Sequence, residues 1–301
     1  MKVFLTGGTG LIGQALTRSL LADGHTIWAL TRRDPATVSV PRGVTLLRWD
    51  GRTPAGWGEY LSEMDAVINL AGEPLARWPW TKAQKERFWE SRVRAGRALT
   101  EAILAASPRP KVLLQASGIN HYGLRGDLAD ESTPPGDDFL ARLTVAWEDS
   151  TRPVEQAGVR RCVLRLAVVL APQGGLFSLM ALPVRLFAGG RLGNGKQAVP
   201  WVHIDDVIGA IRFLLENEQS AGPYNVIAPQ IVSNAEFYRR LAAALHRPYW
   251  LPVPAFVLKM ILGEMSVLVL DGRPARPRRL QEAGYQFQIE TVEEAFNRLL
   301  K

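Results

Sequence analysis

The chain has 301 residues, 47% of them hydrophobic and 22% charged, which is the composition of a folded globular protein and excludes a mainly disordered one. The single cysteine, Cys162, excludes an intrachain disulfide framework and a cysteine-based zinc site, and it favours a reducing, cytoplasmic compartment. No apolar run approaches the ~20 residues that span a bilayer, so we expect no membrane partner. The formal charge is +7, and 29 of the 36 basic residues are arginine.

The first half of the chain alternates short apolar segments with helical patterns. The predicted strands are 2–6, 26–31, 44–49, 65–70, 111–116 and 161–170. The predicted helices between them are 11–22, 81–106 and 139–157. This alternation predicts an α/β fold in which helices cover both faces of a doubly wound parallel sheet, a Rossmann domain.

The pattern changes after residue 170, where glycine-rich and proline-rich stretches begin. We predict that residues 1–170 and 201–216 form the Rossmann domain, with 201–216 returning to the main sheet. Residues 171–200 and 217–301 then form a smaller substrate-side lobe, with helices at 233–245, 254–262 and 291–300. Asp205 is expected to cap the helix that follows it.

A glycine turn lies between the first predicted strand and the first helix. Its glycines allow a sharp turn and a close approach to a ligand, and the helix N-terminus beyond them favours a pyrophosphate. A tight structural turn is the alternative reading. The predicted dinucleotide contacts are Gly7, Thr9, Gly10, Leu11, Ile12 and Gly13.

The second predicted strand ends in Thr31-Arg32-Arg33, where an NAD-specific site would have an acidic residue for the ribose 2′-hydroxyl. A guanidinium instead complements a 2′-phosphate in charge and shape. We therefore predict NADP(H) as the cofactor, although a solvated arginine pair at a strand end would have the same sequence.

Further cofactor contacts are expected where later strands end. Asp50 is either an adenine contact or a turn residue, and 70–73 either lie against the ribose or pack a helix closely onto the sheet. In that segment the predicted contacts are Leu70, Ala71, Gly72 and Glu73, and Val168 is expected beside the nicotinamide. Arg92 shares the apolar stripe of the long helix with Phe88 and Ala95, so it requires an anionic or polar partner. We predict a cofactor or substrate contact, with a core ion pair as the alternative.

The fifth predicted strand leads to Ser117 and then Tyr122, the candidate catalytic residues. Ser117 is placed to hydrogen-bond a reacting carbonyl or the nicotinamide, and Tyr122 is either an acid or a loop-packing residue. We read His203 as structural and expect no metal site.

Taken together, these motifs resemble those of the extended short-chain dehydrogenases/reductases of the nucleotide-sugar epimerase type. More narrowly, the chain resembles the branch of epimerase-family proteins that carry a C-terminal domain of unknown function and include an NADP-dependent oxidoreductase. The resemblance covers the whole chain, through 6–13, 69–73, 91–93, 134–139, 201–206, 222–229, 234–237 and 263–265.

The resemblance implies a catalytic serine matching Ser117 and a Tyr-x-x-x-Lys motif that supplies the proton. This chain has no such motif: Leu140 and Thr144 stand at the corresponding positions. In the long helix, Arg92 stands where the wider family has an asparagine, which implies a cofactor-side role for it.

Two functions follow as hypotheses. The first is an NADP(H)-dependent oxidoreductase or epimerase-like enzyme acting on a small carbonyl or a nucleotide-sugar-type substrate. The second is a non-catalytic NADPH-binding sensor or regulator, which the missing Tyr and Lys favour. The arginine-rich segment 271–279 is read as a solvated basic stretch, and no nucleic-acid partner is expected. Homodimerisation is left open.

Overall fold

The computed structural model describes residues 1–172 and 174–300. The strands in these residues are β1 (Lys2–Thr6), β2 (Thr26–Thr31), β3 (Val44–Arg48), β4 (Ala66–Asn69), β5 (Val112–Gly118), β6 (Arg160–Leu166), β7 (Val168–Leu170), β8 (Trp201–His203) and β9 (Gly222–Val226). Seven of them form one parallel sheet in the order β3-β2-β1-β4-β5-β6-β9. The order reverses between β1 and β4, and this switch point is where open α/β sheets bind their ligands.

Helices cover both faces of this sheet, as the alternating pattern predicts. They are α1 (Leu11–Ala22), α2 (Lys82–Trp89), α3 (Ala95–Ala105), α4 (Phe139–Asp149), α5 (Pro153–Gln156), α6 (Gly175–Arg185), α7 (Ile204–Glu216), α8 (Asn234–Ala244), α9 (Ala255–Leu262), α10 (Val267–Leu270), α11 (Arg278–Glu282) and α12 (Val292–Leu299). One apolar core joins α1 and α7 to the sheet, and a second joins α3 and Trp57 to the opposite face. The predicted Rossmann architecture is confirmed.

The predicted long helix at 81–106 is one helical column with an irregular middle. Its two α-helical parts, α2 and α3, are joined by a π-helical turn at Glu90–Arg94. The extra residue of a π-turn shifts the facing of the side chains around it, and such turns recur at functional sites. Arg92 lies inside this turn.

The observed strand pairing differs from the boundaries that the sequence pattern predicts for the smaller lobe. The run at 161–170 breaks at Ala167, and β8 pairs with β7 in a separate two-stranded sheet, so it does not return to the main sheet. Conversely, β9, which we assigned to the lobe, is the edge strand of the main sheet. Periodicity shows that a segment is extended and buried, but it does not identify the neighbour with which the segment pairs.

The smaller lobe has its own apolar core. Helices α6, α8 and α12 contribute Phe177, Phe237 and Phe296 to it, with ring centroids 5.1 and 6.0 Å apart. At the junction with the main sheet, the cap of α7 is His203 rather than the predicted Asp205, because the His203 ring accepts the Asp205 N–H at 3.1 Å.

The outer edge of β9 is closed by side chains. Glu131 accepts the backbone N–H of Asn225 at 2.9 Å, and Arg279 donates to the carbonyl of Pro223 at 2.7 Å. The Arg279 guanidinium also lies 4.4 Å from the ring centre of Tyr224. Two of the backbone groups that this edge strand presents are thus occupied.

Segment 271–279 is not the freely solvated stretch that its composition suggests. Arg273 donates to the backbone carbonyls of Tyr122 and Asp127 at 2.6 and 2.8 Å, and Arg276 binds the Asp130 carboxylate at 2.8 Å. These arginines attach the C-terminal part of the chain to the loop after β5. Much of the arginine excess has this use, because a planar five-donor group can bind several acceptors at once.

Candidate functional site

The glycine turn after β1 brings three backbone segments too close together for other residues. Gly7 has φ +70°, and a Cβ there would lie 2.6 Å from the Leu70 carbonyl oxygen. A Cβ on Gly13 would lie 2.3 Å from the Gly7 carbonyl oxygen. The turn, the start of α1 and the end of β4 therefore pack backbone against backbone, as the sequence pattern predicts.

The N-terminus of α1 has free capacity for an anion. Its cap, Gly10, has no side chain to bind the first N–H groups, and the first turn contains no acidic residue. Thr9, Gly10 and Leu11 line one end of a groove of about 1410 Å³ that continues between α1 and α7. Unpaired N–H groups and the helix dipole at this position fit a pyrophosphate.

The end of β2 presents two exposed arginines, Arg32 and Arg33. Neither forms an ion pair within the part of the chain that the structure describes. The nearby Asp34 uses its carboxylate to accept the Ala36 N–H at 3.0 Å and so caps a short helical turn. Thr31 is buried, and its hydroxyl oxygen accepts the Arg33 N–H at 3.2 Å. The guanidinium groups therefore remain available to a phosphate.

The structure favours the turn reading of Asp50. Its carboxylate accepts the backbone N–H groups of Arg52 and Thr53 at 2.7 and 2.9 Å and the Thr53 hydroxyl at 2.9 Å. This loop still lies beside the predicted cofactor arginine, since a Cβ on Gly51 would be 3.4 Å from Arg32 Cδ.

A buried network of polar side chains from β1, β4 and β5 holds the segment after β4. The Thr6 hydroxyl donates to Asn69 Oδ1 at 2.5 Å, and the Asn69 amide donates to Gln115 Oε1 at 2.8 Å. The Ala71 N–H donates to the same Thr6 and Asn69 oxygens, both at 3.2 Å. This network joins the ends of β1, β4 and β5, and it fixes the backbone of Leu70 and Ala71 at the switch point.

Arg92 is buried and holds the next part of that segment. Its guanidinium donates to the Glu73 carbonyl at 2.9 Å and to the Phe88 carbonyl at 3.2 Å, and it lies 5.0 Å from the Trp147 ring centre. A Cβ on Gly72 would lie 3.2 Å from Arg92 Cζ, so a larger residue there would press on the guanidinium. Burial lowers the pKa of Arg92 to about 10, which leaves it charged at neutral pH.

The Glu73 side chain is occupied within the protein. Its carboxylate accepts hydrogen bonds from Gln84 and Arg77, both at 3.0 Å. Both donors bind Oε1, so this oxygen is used within the protein.

Ser117, the candidate catalytic serine, points into the protein. Its hydroxyl donates to Glu148 Oε1 at 2.7 Å, and the same carboxylate receives Arg165 Nε and Nη2, each at 2.9 Å. All three side chains are buried. Burial opposes the Glu148 charge, but these donors prevail and lower the pKa of its carboxyl. Because the Ser117 hydroxyl already donates its one hydrogen bond to Glu148, it is not free to donate to a substrate carbonyl.

The position opposite the missing Tyr and Lys carries no reactive group. Gly118 faces Thr144, one of the two residues that stand in place of the Tyr and Lys: a Cβ on Gly118 would lie 3.7 Å from Thr144 Cγ2. The Thr144 hydroxyl is turned back onto its own helix, toward the carbonyls of Leu140 and Ala141 at 2.9 and 2.8 Å. Leu140 is packed in an apolar cluster with Trp80 and Phe88. This side of the site is therefore apolar.

Tyr122 has the surroundings of a packing residue. It is 1% exposed, and its hydroxyl donates to Asn225 Oδ1 at 2.6 Å and accepts from Arg165 Nη1 at 2.9 Å. Burial raises its pKa to about 12. Its hydroxyl is committed to β6 and β9, and this geometry speaks against a role as substrate acid.

Val168, expected beside the nicotinamide, lies in β7 and packs against the core of the smaller lobe. Glu148 and Arg165 were not predicted from the sequence as residues of this site. Two signals pointed to them: Glu148 continues the inward stripe of Leu140 and Thr144 at four-residue spacing, and Arg165 interrupts a buried strand.

The groups arranged around the switch point define a dinucleotide-binding protein of the doubly wound α/β class. The chain belongs to the NAD dependent epimerase/dehydratase family, whose model matches residues 3–227. A second model, described only as a domain of unknown function (DUF1731), matches residues 253–299.

Individual relatives agree with this assignment. The chain is 36% identical over 304 residues to the epimerase family protein YfhF of Bacillus subtilis, covering 100% of this chain and 98% of that protein. It is 34% identical to the human epimerase family protein SDR39U1, solved with NADPH, with a TM-score of 0.90 over 99% of both chains. A UDP-glucose 4-epimerase from Thermus thermophilus, in complex with NAD, shares the fold at a TM-score of 0.76 and 21% identity, over 100% of this chain and 99% of that one.

Proposed function

We propose that this protein is an NADP(H)-dependent oxidoreductase of the epimerase family. The observation that carries the cofactor choice is the Arg32-Arg33 pair, exposed at the end of β2 and without an acidic partner in the described residues. The human relative solved with NADPH supports the same choice. The glycine turn and the open N-terminus of α1 fit the pyrophosphate, and bound NADP(H) would supply hydride chemistry.

The apolar position at Gly118, Leu140 and Thr144 limits the reaction. A carbonyl reduced to an alcohol needs a proton donor at its oxygen, and these side chains supply none. The proposed substrates are therefore small hydride acceptors whose reduced form takes its proton from water. A nucleotide sugar processed by the family's usual Tyr and Lys fits this site less well.

The cofactor choice is tested by isothermal titration of NADPH and NADH. We expect wild-type protein to prefer NADPH, and the Arg32→Ala/Arg33→Ala variant to lose about 10- to 100-fold in NADPH affinity, as expected for the loss of hydrogen bonds to a charged group. NADH affinity should change little. Arg42→Ala is the control, because Arg42 is also exposed but lies before β3, at the N-terminal end of the parallel strands, whereas Arg32 and Arg33 follow the carboxyl end of β2. Equal affinities for the two cofactors in wild-type protein would contradict the proposal.

The altered catalytic position also supports a second candidate, an NADPH-binding sensor without turnover. NADPH absorbance followed with a panel of small carbonyl compounds and activated alkenes separates the two functions. Consumption of NADPH that depends on both protein and acceptor supports the oxidoreductase. Tight binding of NADPH with no consumption across the panel supports the sensor.

A further inference from the structure

The smaller lobe exposes an unusual amount of apolar surface. Of the fourteen large apolar side chains that are most exposed in the described residues, nine lie in two short stretches of this lobe. They are Leu179, Leu182, Leu186, Phe187, Trp250, Leu251, Phe256, Met260 and Ile261. Clusters of this kind mark interaction surfaces, whereas single exposed apolar residues are ordinary.

The two stretches adjoin each other. The Trp250 ring N–H donates to the Phe187 carbonyl at 2.9 Å, and the backbone N–H groups of Trp250 and Leu251 donate to Gly189 at 2.9 and 3.0 Å. Leu179, Leu182 and Leu186 are spaced to share one face of the helix that ends there, α6. We call the nine side chains the apolar lobe surface.

Helix α9 is the most unusual part of this surface. Seven of the eight residues of its sequence, AFVLKMIL, are apolar, yet none of the eight is buried. A helix that is apolar all round is normally enclosed by protein or by lipid. Phe256 and Met260 are 70% and 75% exposed, and Lys259 lies between them in the sequence.

The two chain segments that carry this surface contain basic residues and no acidic ones. The surface lies within residues 174–204 and 237–263, and neither range contains an aspartate or a glutamate. Among the residues that the structure describes, six basic side chains of these stretches form no ion pair. They are Arg185, Arg191, Lys196, Arg239, Arg247 and Lys259.

We propose that the apolar lobe surface binds the face of an anionic phospholipid bilayer. Exposed aromatic and aliphatic side chains, in the same segments as arginine and lysine that form no ion pair, are the two features that interfacial binding uses. A second copy of the chain would bring two sets of like charges together, which opposes pairing through this surface.

Our expectation of no membrane partner rested on the lack of a spanning segment, and interfacial binding needs none. In the described residues, no helix has the length and apolar character to cross a bilayer.

The test is sedimentation of the full chain with vesicles. We expect wild-type protein to bind vesicles of phosphatidylcholine mixed with phosphatidylglycerol at least about tenfold more tightly than vesicles of phosphatidylcholine alone. Binding should weaken as added salt shortens the screening length from ~10 Å at 0.1 M. Phe256→Ser/Met260→Ser and Lys259→Glu should each weaken binding about fivefold or more.

Two matched controls alter similar residues elsewhere. Leu128→Ser removes an apolar side chain that is 47% exposed, and Lys111→Glu reverses an exposed charge at the start of β5. Both should bind vesicles like wild type. The proposal is overturned if wild-type protein stays in the supernatant with both vesicle types, or if the controls weaken binding as much as the surface variants. It is also overturned if light scattering shows a dimer that Phe256→Ser/Met260→Ser dissociates while vesicle binding is absent, since a second copy then covers the surface.

Discussion

At the scale of single residues, the main finding is how Ser117 is used. The sequence places this serine at the carboxyl edge of the sheet, and the strand does end there, so its position was predictable. Its partner was not, because Glu148 comes from α4 and Arg165 from β6, and only the packing of three elements brings them together. The result is a buried ion pair with a serine donor, where a reactive hydroxyl was expected.

The ion pair gives a direct prediction for Glu148→Gln. This change leaves the Arg165 charge buried without its counter-charge, so we expect the free energy of unfolding to fall by about 3 to 5 kcal/mol. Denaturant unfolding measures the loss. The control is Glu63→Gln, which removes one partner of the ion pair with Lys2, exposed on both sides, and should cost less than about 1 kcal/mol. Similar losses in the two variants would show that the buried pair contributes nothing special.

His121 predicts a dependence of stability on pH. Burial lowers its pKa to about 4, although the nearby Glu148 carboxylate opposes this shift, while the unfolded chain has the ordinary value of 6.5. Between these values the unfolded chain binds more protons, so the free energy of unfolding decreases as pH falls from 6.5 toward 4, by on the order of 2 kcal/mol.

Unfolding curves at a series of pH values test this prediction for His121. His121→Gln should flatten the slope between pH 5 and 6.5, above the range in which carboxylates of ordinary or lowered pKa titrate. An unchanged slope in the variant would assign the pH dependence to other groups.

At the scale of elements, the sequence predicts which segments are strands and helices better than it predicts which strands pair. The strands of the first half and both long helical regions are where periodicity places them, because burial on one or two faces leaves a local pattern. The pairing of β8 with β7, and of β9 with β6, depends on contacts between segments far apart in the chain. The π-turn at Glu90–Arg94 leaves no compositional signal either, although Arg92 within it was recognised by its inward position.

The attachment of segment 271–279 can be tested at this scale. Arg273→Ala removes hydrogen bonds to the Tyr122 and Asp127 carbonyls, which hold the loop after β5. We expect a loss of about 2 kcal/mol in unfolding free energy and faster amide exchange across 122–131. Arg298→Ala is the control, because Arg298 is 59% exposed and pairs with Asp205, outside both this loop and segment 271–279. Equal exchange in the two variants would show that Arg273 does not hold the loop.

At the scale of the whole molecule, cofactor binding should couple the parts of the nucleotide site. A ligand that binds only the folded state at 100 times its dissociation constant adds about 2.7 kcal/mol, or roughly 5 °C or more in melting temperature for a chain of this size. We expect this shift with NADPH and a clearly smaller one with NADH at the same concentration. Thermal unfolding monitored by circular dichroism measures both, and an equal shift with the two cofactors would contradict the assignment to NADP(H).

The hydrogen bonds at the outer edge of β9 have a consequence for truncating the chain after this strand. Residues 1–227 contain every strand of the main sheet and nearly match the family model, so they look like a natural truncation product. Yet the carbonyl of Pro223 is satisfied by Arg279, which such a fragment would lack. A fragment ending at residue 227 would keep Glu131 on the Asn225 N–H but leave the Pro223 carbonyl unpaired at this edge. Strands from other copies could add there, so the fragment should aggregate although it contains every strand of the main sheet.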